Sequence, residues 1–126
     1  MRKRKRTYSC GLEASLAVTG GRWKFLILWV LSNQGTKRFG ELRRAVVGGI
    51  SEKMLIQELK ELELDGIVER KDFKRVPPRV EYSLTPLGIE LGEATASLCE
   101  WGTKHIDRIN GASQKSVSVE PGVFPQ

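Results

Sequence analysis

Residues 39–66, FGELRRAVVGGISEKMLIQELKELELDG, decide the fold of this 126-residue chain. Residues 39–46 place apolar side chains on one side of a short amphipathic helix. Residues 47–50 are few and contain two glycines, which indicates a tight connection. Ser51 is a good N-cap for a second helix, and Gly66 is a good residue to end it. The stretch therefore predicts a helix, a tight turn and a second helix.

The second of these helices has one apolar and one polar face. Leu55, Leu59 and Leu62 fall on one side of a helix at 100° per residue, which predicts that this side is buried. Three polar side chains lie on the other side, namely Lys53, Gln57 and Lys60. Such a face is either a merely solvated surface or a binding surface.

After Gly66 the apolar period changes from that of a helix to that of a strand, which predicts strands at residues 67–73 and 79–84. Residues 74–78, KRVPP, form a basic loop between them. Thr85 then suits the N-cap of another helix, with proline next. In that helix six residues recur at alternating spacings of four and three, as in helices that pack against helices: Leu87, Leu91, Ala94, Leu98, Trp101 and His105.

Two helices are predicted before the turn, at residues 12–18 and 22–32. The second is apolar nearly all round, so it must be buried on both sides, and a second subunit could supply part of that burial. The fold class is therefore mainly α with a small β-hairpin wing (α+β), a winged helix-turn-helix. Trp23, Trp29 and Trp101 belong to the core and the interface, or alternatively line an effector pocket.

The net charge of the chain is +6, from 21 Lys and Arg against 15 Asp and Glu. Five of these charges lie in the run Arg2–Arg6, which leaves a body close to neutral. The balance favours an acidic partner such as nucleic acid. We expect a flexible basic arm at residues 1–9, one domain at residues 10–110, and a disordered tail rich in Ser, Gly and Pro at residues 111–126.

Several classes of function find little support in the sequence. Residues 7–13 lack the apolar core of a signal peptide, and the longest apolar run, residues 25–31, is too short to cross a bilayer. We therefore expect a cytoplasmic protein with reduced thiols and no membrane partner. There is one histidine and no P-loop, dinucleotide or GxSxG motif, so we expect no enzyme, no metal and no cofactor.

Four blocks of the sequence resemble the HxlR-type family of bacterial winged-helix transcriptional regulators, relatives of the MarR type. The blocks are GRWK at 21–24, KRFGEL at 37–42, GISEKML at 49–55 with LKEL at 59–62, and PPRVEYSLTPLG at 77–88. Each block alone is weak, but their order and spacing are specific, and the match spans about residues 10–101. The resemblance implies a homodimer in which the first and last helices form the interface and two wings flank the operator.

The polar side chains of the predicted DNA face divide into two groups. Ser51, Lys53, Met54 and Gln57 stand at the start of the second helix of the motif, where Gln suits adenine, Lys suits guanine and Met suits a thymine methyl. The expected phosphate contacts are basic residues before and after it: Arg38, Arg43, Arg44, Lys74, Arg75 and Arg79. The basic arm either enters the minor groove or is only a solvated tail.

The predicted dimer interface comprises apolar residues of the two terminal helices: Leu12, Leu16, Leu87, Leu91, Leu98 and Trp101. In redox-responsive members of the family a Cys near the start of the first helix is the sensor, and Cys10 matches it. A buried, inert Cys10 is the alternative. Cys99 is either packed inertly or joined to Cys10 in a disulfide.

Together these expectations describe a sequence-specific, DNA-binding transcriptional regulator, a repressor acting as a homodimer on a near-palindromic operator. The signal would be thiol oxidation at Cys10 or a small-molecule effector. The alternative, kept open by the near-neutral body, is a winged-helix protein–protein interaction module without specific DNA binding.

Overall fold

The computed structural model describes residues 7–115. Two predicted segments lie outside this range, the basic run Arg2–Arg6 and the part of the tail beyond residue 115. The chain divides into two compact units, Met1–Gly92 and Glu93–Gln126.

Five helices and three strands make up the described residues. Their bounds are α1 Gly11–Thr19, α2 Trp23–Gln34, β1 Lys37–Arg38, α3 Phe39–Ala45, α4 Glu52–Leu64, β2 Val68–Asp72, β3 Val80–Leu84 and α5 Pro86–Lys115. The order of helices followed by a β-hairpin and a long helix is that of a winged helix-turn-helix, as the sequence predicts. The mainly α fold with a small antiparallel sheet is thereby confirmed.

The sheet has one strand more than the sequence indicates. Its order is β1-β3-β2, with both neighbours antiparallel. The short strand β1 pairs Lys37 with Tyr82 and Arg38 with Glu81. Two residues are too few for an alternating pattern, which is why the sequence does not reveal this strand.

The hydrophobic core lies among α2, α3, α4 and the base of the wing. The leucines of α4 predicted to be buried, Leu55, Leu59 and Leu62, are 0–1% exposed. From α2 come Ile27 and Leu28, which are as deeply buried. Complete burial of such a side chain stabilises the fold by about 1.5–3 kcal/mol. This core therefore holds α4 against α2 and leaves its other side in solvent.

Capping residues set the limits of α4 and α5 as predicted. The Ser51 hydroxyl accepts a hydrogen bond from the Met54 N–H at 3.1 Å, which satisfies one of the free donors of the first turn of α4. Gly66, after the end of α4, has a φ of +74°, a conformation that L residues with a side chain rarely adopt. The Thr85 hydroxyl accepts from the Gly88 N–H at 3.0 Å and so caps α5.

The last helix is longer than expected. We predict a tail without structure from Gly111 onward, whereas α5 continues to Lys115. The helix therefore carries its regular hydrogen bonding through the small and polar residues that suggested a boundary at residue 111. Within residues 7–115 no single helix is long and apolar enough to cross a membrane, and only α1 and α2 together, bent by 84°, meet those criteria of length and composition.

Candidate nucleic-acid interface

The outer face of α4 carries the residues predicted to contact bases. Ser51, Lys53 and Gln57 are exposed, and so is Lys60 one turn further on. The exposed face follows from the packing of the helix, because the leucines on its other side fix its rotation against the core. The helix thus presents hydroxyl, amide and ammonium groups together, the chemistry that base edges in a major groove require.

Met54, also predicted to contact bases, does not lie on this exposed face. It is half-buried and packs against the hydrophobic core, although it follows Lys53 directly. At 100° per residue a step of one position turns the side chain toward the leucine face, and flexible Met fills the space there. The exposed apolar side chain on this part of α4 is Ile56, which is 41% exposed and is not among the residues predicted from the sequence to contact DNA.

A cleft of about 510 Å³ opens where α3 meets the start of α4. Its lining includes the predicted phosphate contacts Arg43 and Arg44, together with Phe39, Gly40, Val46, Gly49, Ile50 and Glu52. Arg43 has a structural task here, because its Nε donates a hydrogen bond to the Ile50 carbonyl at 3.1 Å. Arg43 therefore ties α3 to the turn, while Arg44 extends into solvent.

The start of α3 combines positive charge with one carboxylate. The Arg38 backbone N–H donates to Glu41 Oε1 at 2.8 Å, which caps the helix. This hydrogen bond, followed by the charges of Lys37, Arg38 and Arg44, lowers the pKa of Glu41 below its ordinary value. Glu41 consequently stays anionic and offsets part of the positive charge, although the Arg38 side chain remains exposed.

The basic residues of the wing differ in their exposure and in their ion pairing. Lys74 and Arg75 lie at the exposed tip, where the Lys74 N–H donates to Asp72 Oδ1 at 2.8 Å and shapes the turn. Arg79, in contrast, is partly buried and paired with Glu81 through Nε at 2.8 Å and through Nη2. Its guanidinium also lies over the Phe73 ring, 5.1 Å from the centroid. Among residues 7–115, Lys74 and Arg75 are therefore the basic side chains at the tip that have no such ion pair.

A buried ion pair that was not predicted from the sequence connects α2 with α4. The side chain of Lys24 is 2% exposed, and its Nζ lies 2.5 Å from Glu61 Oε1 and 3.5 Å from Glu58 Oε2. Both carboxylates belong to the inner side of α4. The sequence does contain a signal for a buried cation, because Lys24 stands in a run of apolar residues and a buried lysine requires an anionic partner.

Cys10 is the N-cap residue of α1, and its thiol is exposed in the single chain, so the fold of one chain does not bury it. The backbone N–H groups of Glu13 and then Leu12 lower the pKa of its thiol below the ordinary value. A lower pKa increases the fraction of thiolate, the reactive form. Cys99 is also free and exposed.

The residues predicted to form the dimer interface are largely exposed in the single chain. Leu12, Leu16, Leu87, Leu98 and Trp101 are each more than half exposed. Leu91 differs, because it is half-buried and packs against the core of its own chain. In α5 the Trp101 and His105 rings lie 5.0 Å apart, as their spacing of one turn predicts. Across residues 7–115 no group of three or more His, Cys, Asp or Glu side chains is placed to hold a metal ion.

Comparison with known proteins identifies the family. The HxlR-like helix-turn-helix family matches residues 18–110. The HTH-type transcriptional regulator YkvN of Bacillus subtilis is 50% identical over 95 residues, which cover 75% of this chain and 79% of that protein.

Two solved structures of regulators are also similar. The redox regulator HypR in its reduced form superposes with a TM-score of 0.72 at 42% identity, covering 81% of this chain and 99% of that one. The transcriptional regulator YodB from B. subtilis in its reduced form superposes with a TM-score of 0.64 at 38% identity, covering 75% of this chain and 92% of that one. With its three-stranded winged helix and the family match over residues 18–110, the chain belongs to the HxlR-like helix-turn-helix family of MarR-type, DNA-binding transcriptional regulators.

Proposed function

We propose that this protein is a homodimeric repressor that binds a near-palindromic operator and inserts α4 into the major groove. The observation that carries the proposal is the exposed polar face of α4, with Lys53 and Gln57 in its first half. Its other face is fixed by the core, so the presentation of these side chains is rigid. In the complex, the base edges in the major groove would contact the side chains of Ser51, Lys53 and Gln57.

The basic residues around α4 supply the sequence-independent part of the binding. Arg38 and Arg44 lie at α3, and Lys74 and Arg75 lie at the wing tip, all exposed. We assign these four to the phosphates. Arg43 and Arg79 support the interface by holding the turn and the wing, because each is engaged within the chain. Phosphate contacts of this kind position the protein without reading sequence.

We further propose that oxidation of Cys10 controls DNA binding. Three features support this: the thiol is exposed, its pKa is lowered at the start of α1, and HypR and YodB are regulators solved in reduced form or after treatment with an oxidant. A small-molecule effector is the alternative signal. The two differ in their response to diamide, which oxidises thiols.

The test is fluorescence anisotropy with a duplex from the region upstream of the protein's own gene and a scrambled duplex of equal composition. We expect tighter binding to the first, weakened in the variants Lys53→Ala and Gln57→Ala and unchanged in Glu69→Ala, an exposed control on the wing strand. Loss of binding with diamide in the wild type but not in Cys10→Ser supports the thiol signal. Equal binding to both duplexes with a flat salt dependence would favour a protein–protein interaction module.

A further inference from the structure

The N-terminal half of the exposed face of α4 contains one apolar side chain that the fold does not explain. Ile56 is 41% exposed although it is β-branched, a type of residue that is less favourable in a helix than Leu, Met or Lys. Met54, two positions earlier, does pack against the core. Ile56 belongs neither to the core nor to the side chains packed against it, so neither core packing nor helix propensity accounts for isoleucine at this position.

The neighbours of Ile56 indicate what it meets. Lys53 precedes it by three positions and Lys60 follows it by four, so the three side chains share one strip of the helix surface. Both lysines are exposed, and Gln57 lies beside the strip. An apolar side chain between two cations suits a polyanion that carries apolar groups at its surface. In the major groove of DNA that group is the 5-methyl of thymine.

We infer that Ile56 is a specificity-determining residue that contacts the 5-methyl group of a thymine in each half-site. This inference rests on the proposed function, namely that α4 enters the major groove. Ile56 is the fifth residue of α4, about 6 Å along the axis from its first residue at 1.5 Å per residue. It therefore lies in the N-terminal half, the part of such helices that contacts base edges.

The chemistry predicts a contact that depends on a single methyl group. When the thymine methyl packs against Ile56, it is removed from water. Burial of one such group raises the affinity for DNA about fourfold per half-site. Deoxyuridine pairs like thymine and lacks only this methyl. Replacement of thymine by deoxyuridine therefore isolates the contact without altering hydrogen bonding between the bases.

The experiment uses a duplex that the wild-type protein recovers by repeated selection from a random-sequence pool. Each thymine, together with its symmetry mate, is replaced in turn by deoxyuridine, and affinity is measured by anisotropy at fixed salt. For the wild type we expect a loss of about fourfold per half-site at one position. In Ile56→Ala the parent duplex should bind more weakly, and deoxyuridine at that position should cause no further loss.

Leu64→Ala is the matched control, because Leu64 is an exposed apolar residue of the same helix at its far end, 68% exposed. We expect this variant to bind as the wild type does and to retain the full effect of deoxyuridine. The inference is overturned if no thymine is sensitive, or if the sensitive thymine responds equally in the wild type and in Ile56→Ala. Failure of the wild type to select any sequence would instead contradict the proposed function itself.

Discussion

Gly88, in the first turn of α5, lies directly against the backbone at the start of the wing. A Cβ at this position would stand 2.2 Å from the Ile67 carbonyl oxygen. That oxygen cannot move freely, because it accepts hydrogen bonds from the backbone N–H of Thr85 at 3.0 Å and from its hydroxyl at 3.2 Å. The glycine thus permits the close approach of helix and strand.

We therefore expect Gly88→Ala to lower the free energy of unfolding by about 1–3 kcal/mol, the usual cost of overpacking. Urea denaturation followed by circular dichroism measures it. Gly102→Ala is the control, because a Cβ there meets no atom within 4 Å. Alanine in a helix is favoured over glycine by about 0.5–1 kcal/mol, so the control should be at least as stable as the wild type. Equal stability of both variants would contradict the account of Gly88.

Cys10 provides a prediction about pH. Its pKa is lowered by the N–H groups of Glu13 and Leu12, and only the thiolate reacts with iodoacetamide. The rate of alkylation should therefore reach half its maximum at a lower pH in the folded protein than in the same chain in urea, where a thiol titrates at about 8.5. The measurement uses Cys99→Ser, so that Cys10 alone reacts. The same midpoint in both states would exclude an effect of the α1 terminus.

At the scale of elements, the ion pair of Lys24 with Glu61 fixes α4 against α2. Lys24→Met removes the ammonium group that lies 2.5 Å from the buried Glu61 carboxylate, so it should lower the free energy of unfolding by about 3–5 kcal/mol. Lys60→Met, an exposed lysine of α4, should change it by less than about 0.5 kcal/mol. Adding Glu61→Met to Lys24→Met should recover part of the loss. If Lys24→Met were as stable as the wild type, the ion pair would not contribute to the stability of the fold.

The wing gives a second prediction at this scale, concerning salt. Lys74→Ala and Arg75→Ala should each weaken binding to all duplexes and reduce the slope of log affinity against log salt by about 0.9, because each removes one phosphate contact. Arg79→Ala should reduce the slope less, since its charge is already paired with Glu81. Titrations of DNA with each variant over a salt series measure the slopes. A larger reduction for Arg79 than for Lys74 and Arg75 would reverse our assignment.

The elements with strong periodic patterns were predictable, and the side chains that depend on three-dimensional packing were not. The leucine face of α4, the Ser51 cap and the Gly66 terminus follow from local sequence, and the structure confirms them. The apolar neighbours of Lys24 indicate a buried cation, but its partner Glu61 is 37 positions away, so no local pattern identifies the pair. The two-residue strand β1 and the inward position of Met54 likewise depend on tertiary contacts.

At the scale of the whole molecule, exposed leucines on α1 and α5 lead us to expect a dimer. Sedimentation equilibrium should give twice the chain mass of 14.1 kDa. Leu12→Glu combined with Leu16→Glu should shift the protein toward the monomer, because burial of the two carboxylates is costly. Val76→Glu is the control, since Val76 is 96% exposed at the wing and outside the predicted interface. A monomeric wild type would refute the dimer.

Sequence-specific binding of DNA by α4 is the central claim, and one competition measurement tests it most directly. The wild-type protein and Gln57→Ala are each bound to a labelled duplex from the protein's own upstream region and displaced by the unlabelled duplex or by a scrambled one. We predict that the scrambled duplex competes at least about a thousandfold less well with the wild type. In Gln57→Ala this ratio should shrink, with the salt slope retained. Equal competition by both duplexes in the wild type would contradict the claim.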